Sequence, residues 1–318
     1  MQLVPGDLAL VAALRSPTWM QPLWMVALGA VGAVGALYLL TSLLRIAVPR
    51  VAAIMDATAK EAVSQPLFYL LIAIGVAGLI LFPFLSYNTL GEDVKMLKAE
   101  GLTLIKVLAI LLALWTASVS IAEEIEGRTA LTVLSKPLGR RELVFGKFLG
   151  ILWPVLVMFI ILGTLFLCTV SFKVQYDARE TSSSEPTAAM CAQEMAQITP
   201  GLVLSFMETA ILAAISVAIS TRLSLVPNLI ICLLIYILGH LVPTLVNSSV
   251  GQFELVQFAG RFLAAVLPVL EHFSMETVIS TGQAVPPMYL GLAALYCVMY
   301  TAVAMLLALL LFEDRDLA

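Results

Sequence analysis

IAEEIEGRTALTVLSKPLGRRELVFGKFLG, residues 121–150, lies between two long apolar runs, and the rest of the chain is read outward from it. It opens with three carboxylates, Glu123, Glu124 and Glu126, and continues with five of the chain's 17 Lys and Arg: Arg128, Lys136, Arg140, Arg141 and Lys147. So many charges do not stay in hydrocarbon, so the stretch lies in water, and its basic excess assigns it to the cytoplasmic face. Between Glu123 and Leu134 the one breaker is Gly127, so the helix of the preceding run continues out of the membrane. Pro137 ends that helix, because its ring removes a backbone donor and clashes with the preceding turn. Gly139 and Glu142 have the spacing of a capping box, with Gly in the usual Ser or Thr place, and start a second helix at Arg140. The stretch predicts a helix–break–helix elbow over 123–147, at the membrane face.

Composition fixes the class. Of 318 residues, 61% are hydrophobic and 12% charged, and the mean hydropathy is +1.03. A soluble domain carries about 25% charged residues, so this is an integral membrane protein. Apolar runs longer than about 18 residues, without strand-type alternation, make it all-α. The net charge of −4 carries little information, and no nucleic-acid partner is expected. Cys168, Cys191, Cys232 and Cys297 are scattered and form neither a disulfide framework nor a metal site.

Seven apolar runs follow in chain order. The N-terminal segment 1–44 holds the first, Pro22 to Leu44, where Gly29, Gly32, Gly35, Ala33 and Ala36 permit close helix packing in lipid. A cleaved signal peptide is the rival reading of this run, but the run is longer than a signal's apolar core. Residues 45–66 form an amphipathic helix at the interface. Val51, Ile54, Met55, Thr58 and Ala62 share one face; Arg50, Asp56, Lys60, Glu61 and Ser64 take the other. The main membrane domain, 67–318, contains runs at 67–87, 102–122, 148–172, 201–221, 225–246 and 288–312. Residues 173–199 read as a flexible external loop, and 247–287 as a re-entrant or interfacial segment too broken to span. With the elbow inside, the inner segments hold ten Lys and Arg and the outer ones six, which places the N-terminus outside and the C-terminus in the cytoplasm.

The elbow resembles the first cytoplasmic loop of ABC-2 type permeases, the membrane subunits of a class of ABC transporters. The resemblance is carried by Glu124, Glu126, Gly127, Arg128, Thr129, the apolar run Leu131 to Leu134, Lys136, Pro137, Arg140, Arg141, Glu142, Gly146 and Lys147. More loosely it extends from about Val48 to the C-terminus, including 267–290, where Val269 stands in place of a frequent Asn. It implies a six-span helical bundle, here with one extra N-terminal span, in the bacterial inner membrane. It also implies export, a second permease subunit (homodimer or heterodimer), a separate ABC-type ATP-binding subunit holding ATP and Mg, and contact with membrane lipids. Glu123, Glu124, Glu126, Arg128, Thr129, Leu131, Leu134, Lys136, Pro137, Leu138, Arg140, Arg141, Glu142 and Lys147 would form the segment that docks on the ATPase. Leu131, Leu134 and Leu138 share a stripe if the helix persists past Pro137.

No cofactor is expected on this chain itself. Gly146-Lys147 is no P-loop, since six residues separate Gly139 from Gly146 and Phe148 follows the lysine. HExxH and GxSxG are missing, and His240 and His272 lie apart, so an enzyme is not expected. Glu208, Lys106 and His240 lie inside runs and mark either a polar pathway or helix packing. Ser205 and Thr209 are the expected partners of Glu208. A secondary transporter or a non-transporting scaffold remains the alternative, and paired midplane charges with broken helices would mark the former. The topology predicts that reporter fusions at Gln21 and Ala318 score on opposite faces; both on one face would remove a span.

Overall fold

Proline sets the helix starts. Pro49, Pro66 and Pro287 each stand in a first turn, where a missing N–H costs nothing and the fixed φ favours a helix. The computed structural model describes residues 17–85, 92–126, 139–181, 184–247, 258, 260, 262–264 and 266–313. Among these the chain is helical: α1 (Leu23–Ala47), α2 (Pro49–Ser64), α3 (Pro66–Leu81), α4 (Asp93–Glu126), α5 (Arg140–Glu180), α6 (Ala188–Ser220), α7 (Leu225–Asn247), α8 (Glu276–Thr281) and α9 (Pro287–Glu313). Six of them, α1, α3 with the short turn after it, α4, α5, α6 and α9, are long and apolar enough to cross a membrane. α7 is a further apolar helix, although its segment Leu225–Leu241 falls short of that length.

α6 is the axis of the bundle. In its apolar window 72% of residues are buried, against 6% for α1, so the other helices cover α6 while α1 stands at the periphery. From Ile211 to Ala214 every residue is fully buried, and α4, α5, α7 and α9 all pack on this helix. α5, at 41 residues, passes unbroken through Pro154.

α2 shows how sequence pattern becomes packing. Its expected apolar face is the buried one, with Val51, Met55, Thr58 and Ala62 enclosed and Arg50 and Lys60 exposed. What covers that face is protein: α2 lies along the first turns of α5. Two glycines allow the approach. A Cβ on Gly146 would sit 2.6 Å from Ile54, and one on Gly150 would sit 2.9 Å from the Met55 carbonyl oxygen and 2.6 Å from Thr58 Cβ.

Three sequence expectations change. Residues 173–199 are not a long loop: α5 runs to Glu180 and α6 begins at Ala188, capped by the Thr187 hydroxyl, which accepts the Met190 N–H at 3.4 Å. Polarity there marks helix ends that reach past hydrocarbon, not a break in the helix, and the charged residues from Asp93 to Glu100 are helical for the same reason. The glycine stripe of α1 packs on nothing in this chain; a Cβ at Gly29, Gly32 or Gly35 would meet no atom within 4 Å. That stripe borders an apolar groove of about 610 Å3 between α1, α5 and α6. Within 247–287 the described residues form a turn at Leu270–Phe273 and the short α8, with no membrane-length helix.

Replacing Gly150 by Ala should force α2 off α5 and cost about 1–3 kcal/mol, as overpacking does. Thermal unfolding of the purified chain in detergent checks this against Gly29→Ala, where the added methyl meets open space. Equal melting of both variants would contradict the α2–α5 contact.

Candidate functional site: the elbow roots and a buried charge cluster

Half of the expected capping box is present where α5 begins. The Gly139 N–H donates to Glu142 Oε2 at 2.9 Å, and the Leu143 N–H donates to the Gly139 carbonyl at 3.1 Å, so the side chain and the first turn close the helix end together. Arg140 and Arg141 are exposed on this first turn, and Arg50 of α2 lies 3.4 Å from Glu142. Two turns deeper Lys147 is buried, contrary to its reading as a residue in water. Its ammonium donates to the Ser120 carbonyl at 2.9 Å and the Ser120 hydroxyl at 2.7 Å, tying the start of α5 to α4. The backbone of α4 is helical through Glu123, Glu124 and Glu126. Arg128, Thr129, Leu131, Leu134, Lys136, Pro137 and Leu138, and with them the break at Pro137, lie outside the described residues.

A charge cluster occupies the bundle interior. Glu208 on α6 is fully buried. One carboxylate oxygen lies 3.3 Å from Lys106 Nζ of α4, the other 3.4 Å from His240 Nε2 of α7. Ser205 and Thr209 do not serve it as expected; the Thr209 hydroxyl donates to the Ser205 carbonyl at 2.8 Å instead, inside the helix. Lys106 also stands 5.8 Å above the Tyr236 ring, and His240 Nδ1 lies 3.1 Å from the Tyr236 carbonyl, which fixes the imidazole on its own helix. An isolated carboxylate here would be costly, so the two cationic groups hold α4, α6 and α7 to one spot.

The same three helices meet again at a neutral rung. Asn228 on α7 donates from Nδ2 to the hydroxyls of Ser118 on α4 at 2.7 Å and Ser216 on α6 at 2.8 Å. Along α4 the two rungs are about 18 Å apart at 1.5 Å per residue. Sequence reasoning missed Asn228, although an amide inside an apolar run was a readable signal. At the far end, Lys98 pairs with Glu194 and bonds Gln197, and the buried Lys173 lies 3.2 Å from Asp93 and 3.8 Å from Glu180. Asp93, Asp177 and Glu180 gather there, but Lys173 already supplies the cation among them. None of these arrangements pairs a nucleophile with a base; they bind helices to one another and line a polar cavity of about 380 Å3.

Removing one member of the interior cluster should expose its geometry. Lys106→Met leaves the buried carboxylate one cation short and should cost about 3 kcal/mol of stability. Adding Glu208→Gln should recover part of that loss, with a coupling of about 1 kcal/mol or more in a double-mutant cycle of thermal unfolding in detergent. Strict additivity would mean the two side chains do not interact.

The profile of the "ABC-2 family transporter protein" family matches residues 34–317, from the middle of α1 to the end of the chain. No curated protein matches the chain. The match spans both helices that flank the elbow, the helices that hold the charge cluster, and α9. By that match the chain belongs to the ABC-2 transporter family, as a membrane transport component that works with an ABC ATP-binding partner.

Proposed function

We propose that this permease subunit exports its substrate through a passage between two permease subunits, driven by two ATP-binding subunits docked on the elbow 123–147. One observation carries the reading: the family match runs through the elbow, and the described root of that elbow is a single mechanical block. Lys147 joins α5 to Ser120 of α4, and α2 lies against Gly146 and Gly150. A push on the elbow is therefore delivered to three helices together. Leu131, Leu134 and Leu138 supply the apolar contact with the ATPase, and Arg140 and Arg141 the charged rim. Closure of the nucleotide-loaded ATPase pair then tilts α4 and α5 and opens the passage.

The buried Lys106, Glu208 and His240 favour a second reading, an ion-coupled carrier, since such carriers place charges inside the membrane. They also interrupt the helices that hold those charges, whereas α4 and α6 run unbroken past Lys106 and Glu208.

Burial of one leucine is worth roughly 1.5–3 kcal/mol, so Leu134→Asp should weaken ATPase binding about tenfold or more. Arg140→Ala should cost less and chiefly make assembly salt-sensitive. Co-purification of the ATPase and ATP-dependent transport in vesicles measure both. Undiminished binding and transport by a well-inserted Leu134→Asp permease would remove the elbow as the coupling surface, and transport without any ATPase would favour the ion-coupled reading.

A further inference from the structure

Three guanidinium groups meet in one cleft at the elbow end of the bundle. The cleft, about 420 Å3, is lined by Arg50, Gly139, Arg140, Arg141, Glu142 and Leu309. Among the described residues its charges do not cancel. Glu142 is the lining's one carboxylate, already accepting the Gly139 N–H at 2.9 Å and standing 3.4 Å from Arg50. Asp56, the nearest acid along α2, is engaged by Arg45 at 2.9 Å. Three positive charges thus face one negative charge, at a place where two helices, α2 and α5, begin.

The cleft also adjoins apolar side chains turned outward. Leu306 and Leu310, one turn to either side of Leu309, are 60% and 61% exposed. Val48, just before Pro49 and Arg50, and Phe145, one turn from Arg141, are exposed too. A ligand that satisfies the whole surface has a compact anion at one end and hydrocarbon at the other. Arginine forks match the oxygens of a phosphate in two-point contacts, which a lysine point charge does not reproduce. Basic pockets between helices at a membrane face are suited to anionic headgroups.

We propose that this cleft binds a phosphate-bearing anion, with an anionic phospholipid headgroup seated among Arg50, Arg140 and Arg141 and its acyl chains along α9. The proposal does not depend on ATPase docking, and its test uses the full chain without any ATPase. Native mass spectrometry of the purified permease, with dioleoyl phosphatidylglycerol or dioleoyl phosphatidylcholine added, reads lipid retention. A second arm reads thermal stabilisation by inorganic phosphate alone. Phosphatidylglycerol should be kept in preference, and each of R50A, R140A and R141A should weaken its retention about fivefold. R222A, a basic residue at the α6–α7 turn, should change nothing. R141A is the decisive variant, since it removes a charge while the Arg50–Glu142 pair stays. Stabilisation by phosphate that R141A abolishes, with equal retention of both lipids, keeps the phosphate site and assigns it to a free anion. Equal retention of both lipids with no arginine-dependent phosphate effect overturns the proposal.

Discussion

A carboxylate that cannot face lipid organises this bundle. Glu208 needs cationic partners within the protein, and Lys106 and His240 come from the two helices on either side of α6. Between apolar helices in a bilayer there is little hydrophobic force to choose one register over another, because lipid tails are as apolar as leucine. Polar contacts supply the choice. The cluster at Glu208 and the amide rung at Asn228 fix α4, α6 and α7 at two heights, and a slip along any one axis would strand a buried polar group. The enclosure of α6 follows from the same requirement.

The elbow root applies this logic at the membrane edge. Lys147 carries its charge inward to a backbone carbonyl and a hydroxyl, where its position near other basic residues suggested water. A long flexible stem lets lysine reach back to a polar group at the end of a neighbouring helix. The outcome is that the segment on which a partner would act has no loose joint with the two spans it feeds.

Legibility in the sequence followed the range of each interaction. The capping of α5 by Glu142 and the two faces of α2 were readable because three-residue spacing and a period of 3.6 settle them locally. What covers the face of α2 was not, since Gly146 and Gly150 lie some ninety positions away in the chain. The partners of Glu208 escaped for the same reason, and nearby hydroxyls misled by their closeness in sequence. The stretch 173–199 misled in another way: polar composition reports water, and a helix can continue through water when its charges are paired, as Lys173 is with Asp93. The glycines of α1 teach the converse. Small residues permit close packing but do not compel it without an opposing surface.

The length of α5 has a geometric consequence. A helix of 41 residues is about 60 Å long, roughly twice the hydrocarbon thickness it crosses. Held near one end by Lys147 and near the other by Lys173, both to α4, it behaves as one arm of a paired lever. A tilt of about 10° around its middle sweeps each tip through about 5 Å, given that length. A displacement small enough to leave every buried contact intact at the fulcrum is therefore large at both tips, with the elbow at one and the polar cavity at the other.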